Sequence, residues 1–391
     1  MQRVYLDHNA TTPAAPEVVA AMLPFLSEEY GNASSIHSFG QRARTAVERA
    51  RESVAALVGA RAGEIVFTSG GTEADNLAIF GLVPLGLGVP GGVRRHVITT
   101  QIEHHAVLNA CQFLEREGVD VTYVPVSSAG VVDPQDVRRA IRPETVLITV
   151  MHANNEIGTV QPIEEIAKIA AEADIYLHCD AVQSAGKLPL DVARLGVDLL
   201  TVSGHKIRAP KGVGALFVSK GTRLRPIFYG GHHERDRRPG TENVAGIVAL
   251  GVAAQLAREN LEADASRMAS LRDRLESQLL TRISEAHVNG EGAPRTPNTS
   301  NIMFRHIEGE SLVISLDLKG VACSTGAACS SGAVEPSHVL TAIGLAPEDA
   351  RSSLRFSLGH STTAEEIEYA IGVVPGVVER LRELSPVYHK T

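Results

Sequence analysis

No apolar run in this chain approaches the roughly twenty residues that a membrane-spanning helix requires. The N-terminus, Met1-Gln2-Arg3-Val4-Tyr5-Leu6-Asp7, lacks the charged and apolar regions of a secretory signal, so a cytoplasmic protein that spans no membrane is expected. Cysteine is scarce. Cys111, Cys179, Cys323 and Cys329 are too few and too scattered for a disulfide framework in 391 residues, which makes reduced thiols the default. Positive charge is in deficit, with Lys+Arg 37 against Asp+Glu 45 and a net charge of −8. That balance removes any general attraction to nucleic acid or to an anionic membrane surface and leaves a small-molecule substrate as the expectation. Several motifs are also missing. There is no HExxH and no zinc-finger spacing, so His104, His105, His152, His178, His205, His232 and His233 do not read as a metal set. Neither an internal repeat nor a low-complexity tract is present.

The composition that remains, 44% hydrophobic and 21% charged, is ordinary for a globular enzyme, and the length allows two domains. A polar arm, DHNATTPAAP, precedes a short helix over Glu17 to Leu26, and the loop YGNASSIHSFG precedes an amphipathic helix over Gln41 to Val58. From Glu64 to Val218, short apolar runs alternate with helical periodicity, the pattern of a parallel sheet with crossover helices. In such sheets ligands sit beyond the carboxyl ends of the strands. The ends here are Gly70-Gly71-Thr72, Glu103-His104, Asn154-Asn155-Glu156, Asp180 to Gln183 and Ser203-Gly204-His205-Lys206. A long helical stretch over about Glu242 to Ile283 leads to a second α+β unit, with a strand over Ser300 to Phe304 and a terminal helix from about Ala364. The fold class is therefore α/β, with a large domain at 15–260 and a small domain formed by 1–14 and 261–391.

Thr68-Ser69-Gly70-Gly71-Thr72-Glu73 places glycines at a strand-to-helix junction, where free backbone N–H groups and the helix dipole favour an anion. It is not a P-loop, because no lysine follows the glycines, and it lacks the GxGxxG spacing. Lys206, at a strand-to-loop break between His205 and an apolar strand, suits amine chemistry on a carbonyl, such as the Schiff base that carries pyridoxal phosphate. That cofactor needs a carboxylate against its pyridine nitrogen, and Asp180 ends the preceding strand. Asn155 and Gln183 suit its ring oxygen, Gly71, Thr72, Ser203 and His205 its phosphate, and His104 its ring face. In CSTGAACSSG, Cys329 lies among small residues, an unobstructed nucleophile. Cys323 reads as a resolving thiol or as passive, and Cys111 and Cys179 as core packing.

With these residues assembled, the sequence closely resembles the cysteine desulfurases of the NifS/IscS group, in the class V aminotransferase branch of fold type I pyridoxal-phosphate enzymes. The resemblance runs nearly end to end through YLDHNATTP, GNASSIHSFG, FTSGGTEADN, EHHAVL, MHANNEIG, HCDAVQSAGKLPL, SGHKIRAPKG, RRPGTEN, CSTGAACSSG, EPSHVLTAIG and SLRFSLG. It implies that Lys206 is the Schiff-base lysine, Cys329 the persulfide-forming cysteine and His104 the ring-stacking histidine. It further implies that Thr241 reaches a phosphate in the other subunit of a homodimer and that Arg355, with Asn155, holds the carboxylate of L-cysteine. The sulfur would pass to an acceptor or iron–sulfur scaffold protein. Ala327, where related chains often carry serine, and the extra thiol of Cys323 leave the acceptor open. A class V aminotransferase or selenocysteine lyase shares Lys206 and Asp180, although a transaminase has no use for Cys329. A non-catalytic sulfur scaffold would leave Lys206 and the anion cup unexplained.

Overall fold

The computed structural model describes residues 2–83, 95–326, 336–385 and 388. Its strands, in chain order, are β1 (Val4–Tyr5), β2 (Ile65–Thr68), β3 (His96–Thr100), β4 (Asp120–Val124), β5 (Thr145–Met151), β6 (Tyr176–Asp180), β7 (Leu199–Ser203), β8 (Gly214–Val218), β9 (Ala286–Val288), β10 (Thr299–Phe304), β11 (Val321–Ala322) and β12 (Ser353–Ser357). Seven of them form one sheet in the order β2-β8-β7-β6-β5-β3-β4. Consecutive apolar residues of a strand point to opposite faces, and both faces are covered. Ile98, Leu200 and Phe217 pack with Val47, Val54 and Leu250 on one side, while Val97, Leu199 and Leu216 pack with Leu77, Ile79 and Leu114 on the other. This explains why the strands read as continuous apolar runs. The expected parallel sheet holds for β4, β3, β5, β6 and β7, but β8 runs antiparallel to both β7 and β2.

The helical stretch expected over Glu242 to Ile283 is two helices, Val244–Glu259 and Leu261–Arg282, bent by 71° at Asn260. Asn260 turns its side-chain amide back onto the Leu256 carbonyl at 2.8 Å, the local competition that makes asparagine a poor helix interior. The first helix is likewise split by Pro24 into Pro16–Met22 and Pro24–Ser27. Beyond the bend, β12-β10-β9 form a smaller antiparallel sheet. Its core, with Leu275, Phe304, Phe356 and Ile371, also takes in Val4 and Leu6 from the N-terminal arm, because β1 pairs with β11. The arm then crosses to the large sheet, where the Thr12 amide donates to the His205 carbonyl at 2.9 Å.

Candidate active site

The strand ends β5, β6 and β7 open into a cavity of about 340 Å³. Its lining includes Gly71, Thr72, His104, Asn155, Asp180, Gln183, Ser203, His205, Lys206 and Arg355, so the structure brings together nearly every residue singled out from the sequence. Thr241 is the exception. It lies on an exposed loop and does not line this cavity. Cys329 falls outside the described residues, as does Ala327.

Lys206 is aimed by the tight turn Gly204–Lys206 that follows β7. A side chain at Gly204 would stand 2.9 Å from the Val213 carbonyl oxygen, so only glycine permits the turn. The Lys206 Nζ donates to the carbonyls of Asn9 and Ala10, and burial followed by the nearby Arg355 guanidinium lowers its pKa to about 8. A substantial neutral fraction near pH 8 is what a nucleophilic amine requires. Asp180, buried at the end of β6, accepts from the Val182 amide through Oδ1 at 2.9 Å. Burial raises its pKa to about 6, partly offset by that amide and by Lys206. Asp75 lies beside it, and burial together with the Asp180 and Glu103 charges holds its carboxyl well above the usual range. Asp75 therefore stays protonated and leaves Asp180 as the anion of this wall.

His104 caps the helix His105–Arg116 by accepting from the Ala106 amide at Nδ1 (3.1 Å). Burial and the charges of Lys206, His105 and His338 push it down to about 4, so it is neutral. With Nδ1 accepting, its proton sits on Nε2. His205 is also lowered to about 4, chiefly by burial, with its Nδ1 against the Thr11 hydroxyl at 3.2 Å. Arg355, brought in by β12, sets Nη2 on Asp7 Oδ1 (2.6 Å) and Nη1 on the Asn155 carbonyl (2.9 Å), while its buried Nε has no partner among the described residues. Cys323 is buried, and burial followed by Asp7 drives its thiol up to about 12, which fits the passive role. Cys111 is pushed up to about 12 and Cys179 well above its ordinary value by burial, as core thiols should be.

Asn9 was not among the residues expected here, yet it ties the wall together. Its carbonyl accepts from Gln183 Nε2 (3.1 Å) and Lys206, and its side chain binds the Asn155 carbonyl (3.1 Å), Thr299 (2.9 Å) and Asn298 (3.0 Å). Asp7 and Asp75 were overlooked in the same way. The only signal for these residues was their place in YLDHNATTP and FTSGGTEADN.

Residues 4–370 match the aminotransferase class-V family. A cysteine desulfurase IscS of Dictyoglomus turgidum is 51% identical over 385 residues, covering 98% of this chain and 97% of that protein. A cysteine desulfurase of Nostoc sp. is 52% identical over 386 residues, covering 99% of this chain and 95% of its own. The chain belongs to the cysteine desulfurases of the class V aminotransferase family. Solved structures agree with this membership. A NifS-like protein superposes with a TM-score of 0.89 at 37% identity, covering 97% of this chain and all (100%) of the other. SspA in complex with cysteine superposes with a TM-score of 0.80 at 40% identity, covering 91% and 98%. Membership in this family makes the chain a pyridoxal-phosphate-type transferase, and the cavity at the strand ends is its active-site candidate.

Proposed function

We propose that the cavity binds pyridoxal 5'-phosphate and that the chain converts L-cysteine to L-alanine, leaving the sulfur on Cys329 as a persulfide. The carrying observation is that a lysine amine, a buried carboxyl and a helix N-terminus line one cavity: Lys206, Asp180 and the start of Gly71–Leu82. This set fits the cofactor's aldehyde, pyridine nitrogen and phosphate. Gly71, Thr72, Ser203 and His205 would hold the phosphate, Gln183 and Asn155 the ring oxygen, and His104 the ring face. When bound, the group supplies an electron sink for bonds at the substrate α-carbon.

The chain's own residues then have defined tasks. Arg355, with Asn155, orients the substrate carboxylate through a guanidinium already held by Asp7. Lys206 takes and returns a proton at the substrate carbon, for which its pKa of about 8 is suited. His104 holds a proton on Nε2. The Cys329 thiolate attacks the substrate sulfur, so that an S–S bond forms as the Cβ–S bond breaks. The electron pair stays on carbon, which takes up a proton to give alanine. Cys329's part in this rests on the motif CSTGAACSSG. The exposed Thr241 supports a homodimer in which this residue completes the partner's phosphate site. An acceptor protein, such as an iron–sulfur scaffold, would take up the persulfide sulfur.

The test is anaerobic incubation with L-cysteine followed by peptide mass spectrometry. Cys329 should gain one sulfur atom, and the gain should vanish in Lys206→Ala. Alanine formed with Cys329 unmodified would overturn the sulfur-transfer reading in favour of transamination.

A further inference from the structure

Behind Gln183 lies a lysine that the reaction above leaves unused. The Lys187 side chain is buried (6% exposed), and its Nζ donates to the Gln183 carbonyl and to Gln183 Oε1, each at 3.0 Å. No carboxylate of the described residues forms an ion pair with it. The charges it feels most are like charges, Lys206 and Arg355, with His8 nearby; Asp264 and His360 line the small cavity of about 50 Å³ on its other side. Burial and those two cations press its pKa down to about 7. A buried amine without a counter-charge costs stability relative to an apolar chain of the same length, so packing alone does not account for it.

The contact does have one definite effect. A protonated lysine Nζ only donates and an amide nitrogen donates, so below about pH 7 the atom that meets Nζ is the carboxamide oxygen. That fixes the other end of the group. Gln183 Nε2 lies toward the Asn9 carbonyl at 3.1 Å, and Asn9 and Gln183 both line the cavity. We infer that Lys187 is a positioning residue that locks Gln183 as a hydrogen-bond donor facing an anionic oxygen of the bound group. The inference rests on the functional reading above, in which that oxygen is the cofactor's phenolate.

The experiment compares the full-length chain with Lys187→Met, Gln183→Ala and the double variant. Three quantities are measured: melting temperature without cofactor, the dissociation constant for pyridoxal 5'-phosphate, and the pH midpoint of the loaded protein's visible absorbance band. Lys187→Met should leave the melting temperature unchanged or higher. It should weaken cofactor binding about tenfold, the worth of one charge-assisted hydrogen bond, and move the absorbance midpoint upward because the phenolate loses a donor. In the Gln183→Ala background the same change should have no further effect, since Lys187 acts through that amide. An unchanged affinity and midpoint, or an equal loss in both backgrounds, would overturn the inference. So would a fall in melting temperature, which would assign Lys187 to the fold. If the parent chain itself binds no pyridoxal 5'-phosphate, it is the functional reading that fails, and this is visible before any variant is made.

Discussion

Two aspartates share the wall behind the cavity, and their environments divide the work between them. Asp180 has a backbone amide and Lys206 to stabilise its charge, whereas Asp75, beside a neutral His178, has the Thr201 hydroxyl, which does not outweigh burial and the charges of Asp180 and Glu103. Asp75→Asn should therefore leave cofactor binding and turnover near parental levels. Asp180→Asn should reduce turnover at least about a hundredfold, the usual scale for losing one electrostatic partner; L-alanine release measures both. Glu103 obeys the same electrostatics through stability. Burial raises its pKa to about 8, so the folded chain keeps a proton that the unfolded chain releases above its ordinary 4.5. The stability tied to that proton is fully present below the unfolded value and is lost as pH rises through the folded one. Glu103→Gln keeps an acceptor for Thr100 and the Met151 amide while removing the titration. Its melting temperature relative to the parent should climb between about pH 5 and pH 8 and then level off.

At the scale of elements, the anion cup depends on β8 approaching the glycine turn closely. A side chain at Gly214 would stand 2.7 Å from Gly70 Cα, so Gly214→Ala must push that turn away. We expect a loss of about 1–3 kcal/mol in stability, seen in chemical denaturation, with weaker cofactor binding beside it. A second anchor holds the 230–241 loop, in which Glu234, Arg235 and Asp236 all adopt positive φ. The buried Arg51–Glu234 pair, at 2.7 Å, and the Phe67 amide on Glu234 hold that strained segment down. Glu234→Ala leaves a buried cation and should cost about 3–5 kcal/mol, again by denaturation. Elements of this kind differ in how legible they are. The alternation of apolar runs and helical periodicity disclosed the large sheet because both of its faces are buried. It could not disclose the direction of β8, since burial pattern carries no polarity. Nor did periodicity reveal the 71° bend at Asn260, because the apolar positions continue across it.

At the scale of the whole molecule, Asp180, Gln183, Ser203, His205 and Lys206 were legible because each sits at or just beyond a strand end and carries a reactive or polar group. Arg355, in the middle of β12, came only from the family resemblance. The residues that align this set were not legible. Asn9, Asp7 and Lys187 act through contacts between segments far apart in sequence, and a polar residue in a turn-rich arm looks like any other. Asn9→Ala tests that arrangement. It removes side-chain contacts to Asn155, Thr299 and Asn298. It should cost about 1–3 kcal/mol, and it should slow cofactor capture by Lys206 because the arm no longer holds the carbonyl that receives the amine. Capture by the parent chain should speed up as pH rises through about 8, where Lys206 loses its proton.

The N-terminal arm leads to one further consequence. Its Asn9 amide meets the Ser357 hydroxyl at 2.9 Å across 348 residues, and β1 has no strand partner until Val321 exists. On the ribosome, residues 4–9 must therefore wait, unpaired, until residues 321–357 have been made. Until those residues have folded, a nascent chain has no finished pocket for a cofactor to load.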